Sequence, residues 1–303
     1  MHEPGSTTSP PHRILLGTDL SARCDRALDR AVQLARQWQV PLLVVHALAR
    51  DSAEPWQGDD LPPTTDITRV IRQRIEHDLR DGVANLEIHV QEGTPGEVIL
   101  AAAGREGCDL IVVGDARDTL RQLVLGSTVE YLVRKSPVSV LIVKQRPRGT
   151  YQHVVVGTDF TAESRDGLHV AAALFPQAEF TLLHALDIPY KSLWLDPQHR
   201  EDFSRMERST IEAFVAHSEL PDAVKQRMQL LVAHGHPEAM LRRHVLQHDA
   251  ELCVIGALRR GITFHMLIGG NARRIVHGVP SDILVVRAPA APAADQADEP
   301  TSA

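Results

Sequence analysis

The chain states one pattern twice, and that repetition limits its fold more than any single motif does. The stretch "HRILLGTDLSA" beginning at His12 returns as "QHVVVGTDFTA" beginning at Gln152, so that "ILLGTD" and "VVVGTD" stand 140 residues apart. "LLVVHAL" (42–48) pairs with "FTLLHAL" (180–186) and aligns His46 with His184. "EGTPGEVILAAAGREGCDLIVVG" (92–114) pairs with "AHGHPEAMLRRHVLQHDAELCVIG" (233–256), and "SPVSVLIVK" (136–144) with "VPSDILVVR" (279–287). The order is kept and the offsets stay within 138 to 143 residues. Such colinearity is a tandem duplication, and the total of 303 residues suits two domains. The join is "KQRPRGT" (144–150), polar and carrying Pro and Gly as a linker should. The expected boundaries are a tail at 1–11, a first domain at 12–145, a second at 146–288 and a tail at 289–303. Both tails hold little to bury and read as disordered.

Within each copy, short β-branched apolar runs alternate with helix-length periodic segments. In the first copy the runs predict strands at about 13–17, 41–46, 86–91, 109–113 and 138–143, with helices near 22–38, 66–81, 96–106 and 127–135. This alternation implies βαβ crossovers and a parallel sheet covered on both faces. The predicted fold class is therefore α/β, with two tandem, doubly wound, five-stranded parallel sheets. "TPGE" (94–97) marks one helix start, with Thr94 as N-cap, Pro95 at the first helical position and Glu97 closing a capping box.

Composition excludes several classes. A net charge of −7 and a pI near 6.1 do not suit a duplex nucleic-acid binder that needs a basic face. No apolar run approaches the roughly 18 to 20 residues that span a bilayer. "MHEPGSTTSPPHR" has no apolar signal-peptide core, so nothing directs export and the cytoplasm is the expected compartment. Cys24, Cys108 and Cys253 are odd in number and widely spaced, which makes neither a disulfide framework nor a CxxC metal site. They read as buried reduced thiols.

In open parallel sheets, ligands bind beyond the carboxyl ends of the strands, where the strand order reverses. Periodicity alone leaves two orders open. In 3-2-1-4-5 the crevice lies between the first and fourth strands, and "GTDLS" (17–21) and "GTDFT" (157–161) face Gly114 and Gly256 across it. In 2-1-3-4-5 the third-strand ends at Gly93 and Gly235 line it instead.

The "ILLGTD-S" first strand, the fourth strand ending "VVG" and above all "GSTVEYLVRKSPVSVLIVK" (126–144) resemble the universal stress protein family. The resemblance covers nearly the whole chain apart from the tails, as two copies. It implies the order 3-2-1-4-5 and a tandem member whose two fifth strands pair within one chain as an intramolecular pseudo-dimer. It also implies, for a nucleotide-binding branch, a G-x2-G-x9-G-(S/T) pattern after the fourth strand. There the early glycines let backbone approach the phosphates, and the last pair opens a helix whose free N–H groups receive them. The Asp ending the first strand belongs to the same pocket.

Both copies depart from that pattern. In "GDARDTLRQLVLGST" Gly114 fits, Arg117 stands where the second glycine should be, and Gly126 comes one residue early. Ser127 and Thr128 still suit the helix start, but Asp115 and Asp118 set negative charge beside any phosphate. Thr18, Asp19, Gly114, Gly126, Ser127 and Thr128 make a weak first candidate site. In "GALRRGITFHMLIGGN" Gly256 and Gly269 keep the full spacing of thirteen positions. Arg259 replaces the middle glycine, Arg260 adds a second cationic donor, and Gly270-Asn271 replaces Gly-Ser/Thr, with Asn271 able to cap the helix. Thr158, Asp159, Gly256, Arg259, Arg260, Gly269, Gly270 and Asn271 make the better candidate, for ATP or AMP.

Each feature has a plainer reading. Asp19 and Asp159 are also ordinary helix N-caps, and Gly126-Ser127-Thr128 is also a simple helix entry. His244 and His248 stand four apart on one predicted helix with His234 and His236 just before it, yet no Cys or acidic ligand has matching spacing. They read as a solvated face, and no metal is expected beyond magnesium accompanying a nucleotide. His46 and His184 read as satisfied core histidines, and "RVIRQR" and "RPR" as exposed helix face and linker.

Three functions follow. The first is a non-catalytic, stress-associated regulatory protein that binds an adenine nucleotide in the second domain. The second is an ATP-hydrolysing enzyme, weakened because no G-x4-GK-(S/T) P-loop and no G-x-S-x-G elbow occurs in the chain. The third is a docking module whose crevice takes an apolar ligand or a partner segment. No catalytic residue, nucleic acid or membrane is assigned.

Overall fold

The computed structural model describes residues 10–48, 66–79, 83, 85–115, 128–186, 197–257 and 270–287. The first half runs β1 (Ile14–Gly17), α1 (Asp25–Trp38), β2 (Leu42–Leu48), α2 (Ile67–Asp78), β3 (Leu86–Glu92), α3 (Pro95–Arg105), β4 (Leu110–Gly114), α4 (Thr128–Lys135) and β5 (Ser139–Val143). The second runs β6 (His153–Thr158), α5 (Ala162–Leu174), β7 (Glu179–Leu186), α6 (Pro197–Ala216), α7 (Asp222–Arg227), β8 (Gln229–His234), α8 (Pro237–His248), β9 (Leu252–Gly256), α9 (Gly270–Gly278) and β10 (Asp282–Val286). The expected strands appear within two residues at each end. Both expected tails, apart from residues next to the first strand, lie outside the described residues.

One sheet takes in all ten strands, in the order β3-β2-β1-β4-β5-β10-β9-β6-β7-β8. Each half is parallel and ordered 3-2-1-4-5, so the alternative order, with the Gly93 and Gly235 turns at the crevice, is excluded. β3 and β8 are instead the two sheet edges. The halves join where β5 meets β10 antiparallel, with Ile142 opposite Ile283 and Val140 opposite Val285. The pseudo-dimer is thus a single continuous sheet.

The alternation of side chains sorts the core into two layers. Ile14, Leu16, Leu42 and Val44 pack with α1 and α2 on one face, joined there by Leu168, Ile211 and Val224 of the second half. Leu15, Leu43 and Val45 face the opposite layer, built on α3, α4, α8 and α9. Strands buried on both faces explain why β1, β4 and β10 read as unbroken apolar runs.

The seam carries exchanged contacts that follow the repeat offset of 143 residues. Lys144 Nζ donates to the carbonyls of Val276 and Val279, while Arg287 Nη2 donates to that of Val133 at 2.7 Å. Lys144 N donates to Asp282 Oδ1 at 2.8 Å, and Arg287 N to Ser139 Oγ at 3.1 Å. Ser139 and Asp282 hold equivalent places, and only Asp282 is ionisable. It accepts from Tyr151 Oη at 2.6 Å and faces Arg30 Nε at 3.5 Å, with the Arg30 guanidinium 4.0 Å over the Tyr151 ring. Burial raises the Asp282 carboxyl above its ordinary value, and donation from Tyr151, Gln145 and Lys144, with the Arg30 charge, partly offsets that. Lys144, expected to be the first linker residue, is therefore a buried seam residue; the exposed linker begins after it.

Two further expectations change. Thr94 stands at the N-cap of α3 and Pro95 opens the helix, but no side-chain cap bond forms, so the capping box is absent. His244 is buried in α8 and its ring stacks on His248 at 4.5 Å, so it does not lie on a solvated face. Burial, then the neighbouring His248, lowers its pKa and favours the neutral ring.

Candidate functional site

The turn after the first strand of each half is built from its own side chains. Thr18 Oγ1 accepts from Leu20 N at 3.0 Å, and Thr158 Oγ1 accepts from Phe160 N at the same distance. Asp19 Oδ1 accepts from Ser21 N at 2.9 Å, and Asp159 Oδ1 from Thr161 N at 3.2 Å. These bonds hold Leu20 (φ 58°) and Phe160 (φ 64°) in the left-handed region, which non-glycine residues seldom enter. Neither Asp is an N-cap. Thr161 caps α5, accepting from Ser164 N, and Asp159 holds Thr161 through its hydroxyl at 2.6 Å. α1 begins after Cys24 with no side-chain cap. Burial raises the Asp19 carboxyl, but hydrogen bonds from Ser21 and Cys24 outweigh it and leave the group below its ordinary value.

Thr18 and Thr158 are buried, whereas both Asp residues remain exposed at the open end of the sheet. The histidines at the ends of β2 and β7 lock the turns from the side. His46 Nδ1 lies 3.0 Å from Thr18 O, and His184 Nδ1 lies 2.9 Å from Thr158 O. His184 also stacks on Phe160 at 4.2 Å and sits 3.5 Å from Glu207 of α6. Each ring is thus tied to a backbone carbonyl through Nδ1, His46 in the core and His184 half-buried.

In the second half a cavity of about 230 Å³ opens at the carboxyl ends of β6, β7, β9 and β10. It brings together Thr158, Asp159, Gly256 and Asn271, four of the residues expected there. Asn271 is exposed in the first turn of α9, which starts at Gly270, so it is a helical residue and not the cap. Arg259, Arg260 and Gly269 lie outside the described residues, as do Gly126 and Ser127. In the first half Thr128 opens α4, Gly114 ends β4, and Asp19 follows β1 by two residues. The matching glycine there has a closer neighbour. A Cβ on Gly17 would stand 2.5 Å from Ile99 Cδ1, whereas one on Gly157 would stand 3.5 Å from Leu241 Cδ1.

The glycines that end β4 and β9 have a packing role. A Cβ on Gly256 would overlap the Glu163 carbonyl oxygen, and one on Gly114 would come within 3.2 Å of Arg23 O. In both halves the first helix begins directly against the fourth strand.

The walls of the cavity are mostly apolar, including Leu183, Leu241, Ile255 and Ile275. Sequence reasoning missed Glu163, the cross-seam wall residue Val133, and Arg287 at the exit of β10. The signal for Arg287 was available, since "VLIVK" and "ILVVR" end the two repeats with a cation. The three thiols are free and buried, and burial pushes Cys24 and Cys253 up to about 12 and Cys108 to about 11. No group of three or more His, Cys, Asp or Glu among the described residues could hold a metal. No helix among them is long and apolar enough to cross a membrane.

The model of the universal stress protein family matches residues 11–144 and again 150–287. Among curated relatives, a universal stress protein of Thermus aquaticus is 33% identical over 135 residues, covering 43% of this chain and 97% of that one. A universal stress protein of Mycobacterium tuberculosis (strain ATCC 25618 / H37Rv) is 29% identical over 138 residues, covering 43% and 94%. Among solved structures, a putative universal stress protein from Pseudomonas aeruginosa UCBPP-PA14 superposes with a TM-score of 0.68 at 20% identity, over 93% of this chain and 95% of that one.

Proposed function

Because the chain belongs to the universal stress protein family, we propose that it is a non-catalytic, stress-response regulatory protein whose second half binds an adenine nucleotide, ATP or AMP. Its two units are 12–145 and 146–288, and its compartment is the cytoplasm, in keeping with three free thiols. One observation carries the ligand reading: the cavity gathers Asp159, Gly256 and Asn271 at the carboxyl ends of β6 and β9, where open α/β sheets take their ligands.

The residues present fit the ligand in part. A volume of about 230 Å³ lies below the roughly 300 to 1000 Å³ usual for small-molecule pockets. It suits a base and sugar held between apolar walls, with Asp159 and Glu163 as acceptors for sugar or amino hydrogens. In the first half, Ile99 against Gly17 and the second carboxylate at Asp115 argue against equal binding.

Calorimetry on the full chain with ATP and with AMP tests the reading, and one saturable site is the expected outcome. Asp159→Asn keeps an oxygen to accept from the turn but removes the charge, and should weaken binding by about tenfold. Silence at millimolar ligand in both titrations would sink the proposal. The apolar walls support a second reading, an apolar ligand or partner segment in the same crevice. A mass spectrum of small molecules retained through purification distinguishes the two.

A further inference from the structure

We infer that Arg287 is the anion-recognising and specificity-determining residue of the second-half crevice, and that the first half holds it in place. This rests on the nucleotide reading above and deepens it. Arg287 lines the cavity at the exit of β10, yet it is anchored twice to the other half. Its backbone N donates to Ser139 Oγ at 3.1 Å, and its Nη2 donates to the Val133 carbonyl at 2.7 Å. Val133 itself forms part of the cavity wall. The second-half crevice is therefore composite, and its cation is oriented by a helix and a strand of the first.

The charges in the crevice are divided by position. Asp159 lies in the β6–α5 turn and Glu163 in the first turn of α5, whereas Arg287 follows β10, with β9 between them. Two sheet positions separate those ends by about 10 Å. A ligand matched to this layout presents hydrogen-bond donors at one end and negative charge at the other, as a nucleoside monophosphate does. The guanidinium is a planar, permanently charged group suited to phosphate oxygens.

The first half shows what a lysine does at the same place. Lys144 is buried, and its ammonium turns inward to the carbonyls of Val276 and Val279. Arg287→Lys should do likewise, capping α4 while withdrawing its charge from the crevice. The seam survives and anion recognition is lost.

The test is calorimetry of the full chain with AMP and with adenosine, wild type beside Arg287→Lys and Arg287→Gln. The wild type is expected to bind AMP about tenfold more tightly than adenosine, with the ratio falling toward one in both variants. A ratio of one in the wild type, or a wild-type ratio retained in the variants, overturns the inference. If Arg287→Gln does not fold, Arg287→Lys alone decides, because it keeps the helix cap. Failure of the wild type to bind either compound would instead refute the nucleotide reading, so the two failures are distinguishable.

Discussion

Gly256 carries no side chain because the carbonyl of Glu163 occupies the place where one would go. Its backbone neighbours cannot rotate away, so Gly256→Ala should cost about 1–3 kcal/mol, the usual range for overpacking. Gly114→Ala, with 3.2 Å to Arg23 O, should cost less. Gly104 lies exposed inside α3, where an added Cβ would meet nothing within 4 Å. Gly104→Ala should therefore stabilise by roughly 0.5–1 kcal/mol. Thermal melts of the three variants check the ranking, and a Gly256→Ala melting point at or above the wild type would refute it. The sequence identified Gly114 and Gly256 as special but attached them to phosphate. What stands beside a Cα is set by helix packing, which no spacing within a single sequence reveals. The plainer reading of Asp19 and Asp159 as helix N-caps fails for a local reason: each accepts from the residue two positions on and so closes the turn before the helix begins.

At the scale of elements, periodicity placed the strands closely because each central one is buried on both faces and so must be continuously apolar. Strand order escaped it, since both candidate orders bury the same residues. The polar seam escaped as well. Asp282 reads as one more residue near a turn until β10 brings it beside Lys144, Tyr151 and Arg30. Asp282→Ala strands the buried Arg30 charge and should cost about 3–5 kcal/mol. The other repeat carries Ser139 and Val170 at the matching positions. Arg30→Val combined with Asp282→Ser removes both charges and should melt above Asp282→Ala alone. A double variant that melts lower would show that the ion pair itself, and not the stranded charge, dominates.

For the whole molecule, the duplication and the pairing of the last strands were both legible, the first from the repeat and the second from the family resemblance. What stands beside the matching glycines Gly17 and Gly157 depended on Ile99 and Leu241, similar in size and different in reach. The halves 1–148 and 149–303, expressed apart, each expose an apolar edge at β5 or β10. Mixed, they should associate, as light scattering after gel filtration would detect; two species that remain monomeric would contradict a seam of this strength.

The antiparallel meeting of β5 and β10 has a further effect on what duplication can achieve. Strand direction reverses at that line, so the two sets of carboxyl ends lie on opposite rims of one sheet. A small molecule cannot engage both rims at once, so avidity would require a partner long enough to span the sheet. What doubling supplies instead is independence. Each rim meets its own solvent, and the side chains of one can change without disturbing the other.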